Sequence, residues 1–154
     1  MDANDLPSSH VGAQILMQRL KTFYEKFTVE SIGQINSVYT QDVEFRDPVH
    51  LVNGSLALKH YLRGMAGSLR HYSIRYLDEQ IGDQTAYFTW ELDYSHGAVK
   101  RGEMITVRGM THVKFTAKVF YHEDSYDMGA LLYDHLPVLG AATRGLRKRM
   151  AGTH

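Results

Sequence analysis

The amino-acid sequence predicts an α+β domain in which an antiparallel meander packs on helices. Three observations carry that expectation. Helical apolar spacing is confined to the segments before Gly67 and to the carboxyl-terminal end. After Gly67 the pattern switches to strict alternation, and the alternating stretches follow one another with only turns between them. Strands that run in succession after helices describe α+β rather than the βαβ alternation of a parallel sheet.

The elements follow in order. From Gln14 to Phe27, apolar residues stand at Ile15, Leu16, Leu20, Phe23, Tyr24 and Phe27, the i, i+3, i+4 and i+7 spacing of a helix with one buried face. Asp42 to Asp47 reads as a short strand, with Val43 and Phe45 on one side and Glu44 and Arg46 on the other. Pro48 lacks a ladder donor and holds Asp47 extended, so the strand stops there. Asn53-Gly54 supplies a turn, and Ser55 is the expected N-cap of a helix reaching about Ala66, with Leu58, Tyr61, Leu62 and Met65 as its buried stripe. Tyr72, Ile74 and Tyr76 form one face of the next strand, which ends before Gly82-Asp83. Phe88, Trp90, Leu92 and Tyr94 then alternate with Thr89, Glu91 and Asp93, giving one aromatic face and one acidic face. After His96-Gly97-Ala98, Glu103 to Phe115 and Ala117 to Ser125 are two further strands, broken near Thr116. Met128, Leu131, Leu132, Leu136 and Leu139, interrupted by Pro137, describe a short helix, a break and a helical tail.

Composition narrows the function classes. A chain of 154 residues is the size of one domain, long enough to bury roughly 70% of its unfolded surface. No apolar run is long enough for a membrane span. Met1 to His10 carries Asp2 and Asp5 instead of a basic-then-apolar leader, so export is not expected and the segment reads as a flexible amino terminus. There is no cysteine, which removes disulfides and thiolate chemistry and fits a reducing, cytoplasmic setting. Basic and acidic residues number 17 each, so the broad basic face of a nucleic-acid binder is not expected. The exception is the cluster Arg144, Arg147, Lys148 and Arg149, which suits the last turn of a helix.

Three stretches resemble a known superfamily, the NTF2-like or SnoaL-like fold that also holds the ketosteroid isomerases. They are Tyr39-Thr40-Gln41-Asp42-Val43-Glu44-Phe45-Arg46-Asp47-Pro48-Val49, Asn53-Gly54 before a helix, and Lys118-Val119-Phe120-Tyr121-His122-Glu123-Asp124. The resemblance spans nearly the whole chain, so residues 1–154 are read as one SnoaL-like domain with residues 127–154 as a helical extension. It implies a cone of three helices in a curved antiparallel sheet, an internal hydrophobic pocket and a homodimer through the sheet. It implies no single reaction: members include isomerases, cyclases, dehydratases, epoxide hydrolases and proteins without known catalysis.

Residue by residue, the carry-over is mixed. The aspartate of the equivalent Asp-Pro-Val is the base of ketosteroid isomerases, and Asp47-Pro48-Val49 matches it. Those enzymes hold the enolate with a tyrosine on the first helix and a protonated aspartate on a long strand. Those positions fall here on Phe23, with Tyr24 beside it, and on Thr111. Loss of one oxyanion donor costs roughly 10²–10³ in rate, so steroid isomerisation by that route is not expected.

Two readings stay open for each candidate. Asp47 either accepts hydrogen bonds from the turn that follows it or faces the pocket as acid or base. His122 and Asp124, two apart on a strand, share a face with Phe120 and Tyr126; they are an acid–base pair or a buried polar anchor. Phe88, Trp90 and Leu92 are core packing or the wall that stacks on a flat ligand. A metal held by Asp47, His50, His122 and Asp124 is open on residue type alone, but the resemblance implies neither metal nor cofactor. The leading expectation is a pocket protein acting on a small hydrophobic molecule by cofactor-independent acid–base chemistry. Asp47, His122 and Asp124 would be catalytic, and Phe23, Tyr24, Phe88, Trp90, Leu92, Thr111 and Tyr126 would bind the ligand. The rival is a non-catalytic binding or dimerisation module. Neither reading calls for a nucleic acid or a membrane as partner.

Overall fold

The structure, a computed structural model, describes residues 5–97, 102–127, 145–146 and 148–152. A long helix α1 (Asp5–Glu25) leads through a 3₁₀ segment (Ser31–Ser37) into strand β1 (Tyr39–Arg46) and the short β2 (Leu51–Asn53). Helix α2 (Ser55–Ser68) follows, and then β3 (Leu69–Ile81), β4 (Thr85–His96), β5 (Ile105–Phe115) and β6 (Val119–Tyr126). The six strands form one sheet in the order β2-β1-β6-β5-β4-β3. The helices pack on its concave side. The expected α+β layering and the meander of four long strands are therefore present.

Local differences have physical causes. The helix α1 begins at Asp5, nine residues before Gln14, the start suggested by the periodic face. Its buried stripe is Ala13, Leu16, Met17, Leu20 and Phe23, continued by Phe27 just past its end, while Ile15 is 54% exposed. Met17, at i+4 from Ala13, fills the core position that spacing alone gave to Ile15. The N-cap of α2 is Gly54 and not Ser55, which is already helical. Gly54 sits at φ 91°, in left-handed space that a side chain rarely tolerates, and its N–H donates to the Val43 carbonyl at 2.7 Å. Within α2, Leu58 and Leu62 are buried as expected, but Met65 is 37% exposed at the rim of the cavity described below. The sheet is antiparallel except where β1 pairs with β6 in parallel, so that Phe45 lies beside His122. The expected carboxyl-terminal extension lies almost wholly outside the described residues; helical turns at 145–146 and 148–151 are all of it that is described. Among the described residues no helix is long and apolar enough to cross a membrane.

One core fills the narrow end, built from Met17, Leu20, Ile32, Ile35, Val43, Leu58 and Leu62 with Phe88, Val113 and Phe115 from the sheet. Burial of each such side chain contributes about 1.5–3 kcal/mol. Tyr94, Ile105 and Val107 make a second, smaller cluster toward the other end. Between the two the sheet and helices separate, and this is where the cavity lies.

Candidate functional site

A cavity of about 640 Å³ opens between α1, α2 and the concave face of the sheet. Its wall is mostly aromatic, with Tyr24 from α1, Tyr61 from α2, Tyr72 and Tyr76 from β3, and Phe88 and Trp90 from β4. The charged side chains on it are Asp47, just past β1, and Asp124 on β6, with His50, His96 and His122 as the titratable imidazoles.

Asp124 heads a chain of hydrogen bonds that runs through the buried wall. Its Oδ1 accepts from the Thr111 hydroxyl at 2.6 Å and from Nε2 of His122 at 2.8 Å. Thr111 in turn accepts from the indole N–H of Trp90 at 2.8 Å. On the other side of the imidazole, Nδ1 of His122 meets the Tyr39 hydroxyl at 2.8 Å, and Tyr39 meets Tyr24 at 2.6 Å. When Asp124 is ionised it has no proton to give, so Nε2 of His122 donates to it; in the tautomer that leaves Nδ1 bare, that nitrogen accepts from Tyr39. The Tyr39 proton being committed, Tyr24 donates to Tyr39. Burial keeps both phenols protonated well above their ordinary range, with the Asp124 charge adding to the effect. His122 is only 2% exposed, whereas the Asp124 side chain retains 18% and lines the cavity. Both of its hydrogen bonds fall on Oδ1, and Oδ2 has no partner among the described residues.

The inward position of this dyad depends on a β-bulge. Across β5 and β6, Val113 faces His122 and Lys114 faces Tyr121, but Phe115 faces Val119. Phe120 is the extra residue. Sequence alternation places Phe120 with His122, Asp124 and Tyr126; the bulge instead leaves it 41% exposed while Val119 and His122 are both buried.

Asp47 occupies a different environment. Its Oδ1 accepts from the backbone N–H groups of Val49 at 2.8 Å and His50 at 2.7 Å, and its Oδ2 accepts from the Tyr61 hydroxyl. The side chain is 2% exposed, although it contributes to the cavity wall. Both readings of this residue thus have a geometric basis: it is tied down by the turn after Pro48, and it also meets the pocket. Its lone pairs are largely engaged, and it fixes Tyr61, whose phenol burial and the neighbouring carboxylate hold protonated. Asp47→Asn keeps the Oδ1 acceptor and is expected to cost about 1 kcal/mol; a chemical-denaturation curve measures it.

Of the expected ligand contacts, Tyr24, Phe88, Trp90, Leu92, Thr111 and Tyr126 are on the wall. Phe23 is not: it is 6% exposed in the core, edge-on to Tyr24 and Tyr39, because α1 turns its next residue toward the cavity. Tyr24, one position along, therefore supplies the helix-borne hydroxyl that Phe23 cannot. Thr111 keeps its place, but its hydroxyl is committed to Asp124. Sequence reasoning missed Tyr39, Tyr61, Tyr72 and Tyr76. The last two were visible as one face of β3, whereas Tyr39 meets its partner His122 across 83 residues of chain. Among the described residues, no group of three or more His, Asp or Glu side chains is disposed to hold a metal ion.

The proton order carries a test. Tyr24→Phe removes a cavity hydroxyl and leaves the Tyr39–His122 bond intact, whereas Tyr39→Phe strips the imidazole of its donor. The ring-nitrogen chemical shifts of His122, which report its tautomer and hydrogen bonding, are expected to change more in Tyr39→Phe than in Tyr24→Phe.

Comparison with known proteins agrees with this architecture. The chain has the fold of a SnoaL-like protein from Jannaschia Sp. CCS1 (12% identity, 79% of this chain and 90% of that one, TM-score 0.68). It is also similar to TerC, co-crystallized with polyporic acid (17% identity, 75% and 94% covered, TM-score 0.64). A third is an M. tuberculosis LEH-like epoxide hydrolase (9% identity, 75% and 84% covered, TM-score 0.62). No protein of curated function matches the sequence. The model of the SnoaL-like domain matches residues 20–119, which includes the end of α1, all of α2, the Asp47 turn and the strands up to the start of β6. With well over half of its residues matched by that model, the chain belongs to the SnoaL-like domain family.

Proposed function

We propose that this protein is a cofactor-independent acid–base enzyme that moves a proton on a small hydrophobic, ring-bearing molecule held in the cavity. The observation that carries this reading is the Asp124–His122 dyad: a carboxylate with one uncommitted oxygen on an apolar wall, backed by a buried imidazole. Asp124 takes the proton at Oδ2. The Nε2–H of His122 and the Thr111 hydroxyl hold Oδ1, so the oxygen that reacts is fixed in place. Tyr24 can turn its hydroxyl from Tyr39 to an oxygen of the substrate as negative charge develops there, the part that Phe23 was unable to play. Asp47 positions Tyr61 and the mouth of the cavity. The flat aromatic wall around Trp90 suits a ring system, and TerC, with the same fold, was crystallised with polyporic acid.

The reading is tested by turnover on a panel of ketosteroids, epoxides and polyketide-like aromatics, with wild type beside Asp124→Asn and Asp47→Asn. Turnover lost in Asp124→Asn and retained in Asp47→Asn supports it. Full activity in both variants overturns it. Tight binding of a panel compound without conversion favours the non-catalytic module.

A further inference from the structure

The cavity has a sign. Asp47 and Asp124 lie on its wall, and none of the described residues lining it is a lysine or arginine. The imidazoles do not reverse this. Both ring nitrogens of His122 are turned into the wall, Nε2 to Asp124 and Nδ1 to Tyr39, so the ring offers no donor to a ligand, and His50 sits 3.5 Å from Asp47 with half its side chain in solvent. His96 stands farther along β4, next to the aromatic rim. The tyrosines do not reverse it either. Burial holds Tyr72, Tyr76 and Tyr126 protonated, and the phenols add only dipoles and the negative faces of their rings.

A hydrophobic ligand that fills this space displaces the water around Oδ2 of Asp124. A carboxylate desolvated without a partner is costly, so the ligand must bring a donor to that oxygen. A hydroxyl would satisfy one lone pair. An ammonium would satisfy it with opposite charge, gain from Asp47 at longer range, and face the rings of Tyr24, Tyr72, Tyr76 and Trp90. A ligand carboxylate or phosphate would meet two like charges and, among the described residues of the wall, no lysine or arginine.

We infer that the natural ligand is a hydrophobic amine: a ring system whose protonated nitrogen seats on Oδ2 of Asp124 inside the aromatic cage. This rests on the reading of Asp124 as the reacting carboxylate. The contact is an ion pair in which the proton stays on nitrogen, so no bond is made or broken on binding.

Three transparent probes of one shape isolate the charge: adamantanemethylamine, adamantanemethanol and adamantanecarboxylate. Trp90 is the single tryptophan of the chain and stands on the cavity wall, so its fluorescence reports occupancy directly. Titrations are made at about pH 8, where unperturbed histidines are neutral and the amine is charged. The amine is expected to bind about tenfold tighter than the alcohol and about 100-fold tighter than the carboxylate. In Asp124→Asn, the amine should fall to within about threefold of the alcohol measured in the same variant. The inference is overturned if the carboxylate binds as tightly as the amine, or if the amine does not bind. It is equally overturned if the preference for the amine survives in a folded Asp124→Asn. The wild-type ranking alone decides the matter should that variant fail to fold. Failure of this ranking leaves the catalytic reading standing, because turnover of an uncharged substrate would still depend on Asp124; failure of the turnover test leaves the charge preference standing as a binding property.

Discussion

Asp124→Asn is expected to lower turnover by about 10²–10⁴-fold while leaving the fold intact, because it removes the proposed general base and almost nothing else. The amide keeps an oxygen that can still accept from His122 and Thr111, and its volume is unchanged. What it loses is the capacity to take a proton. A rate measurement paired with a thermal melt separates the two effects, and an unchanged rate would remove Asp124 from the chemistry. Asp47→Asn provides the contrast, because a carboxylate that holds a turn and a tyrosine affects stability more than rate.

Gly109→Ala is expected to disturb both the fold and the site. The indole of Trp90 lies flat over Gly109, and a Cβ at that position would stand 2.3 Å from Cη2 of the ring. Real atoms do not approach so closely, so either the indole or the strand must move. Overpacking of this kind costs about 1–3 kcal/mol. Because the same indole donates to Thr111, and Thr111 donates to Asp124, displacing it also loosens the Oδ1 side of the carboxylate. A shift in the Trp90 emission maximum together with a lower melting temperature is the predicted signature. Wild-type emission from the variant would mean that the glycine is not the seat of the ring.

Much of this architecture was legible in the sequence because it is periodic. The face of α1, the stop at Pro48 and the aromatic alternation of β4 are each written in neighbouring residues, and those patterns find each element although α1 and β1 begin earlier than they suggest. The candidate dyad was legible for the same reason, since His122 and Asp124 stand two apart on one strand. What escaped was everything that depends on partners far away in the chain. The parallel pairing of β1 with β6 brings Tyr39 to His122, and no local pattern announces it. Gly109 reads as a weak point in a strand until Trp90 is seen lying across it. The exchange of Phe23 for Tyr24 is a matter of helix rotation, one residue being worth about 100°.

On β6, the bulge at Phe120 absorbs a frame shift. Strand geometry has only two frames, and moving between them exchanges every side chain from one face to the other. In the present frame His122 and Asp124 point to the cavity, while Tyr121 and Glu123 satisfy each other on the opposite face. Deleting Phe120 would remove the bulge itself and leave Val119, Tyr121 and His122 in plain alternation opposite Phe115, Lys114 and Val113, so the dyad would keep its place. The bulge is thus a buffer: strand length can change by one residue here without exchanging the acids on the wall.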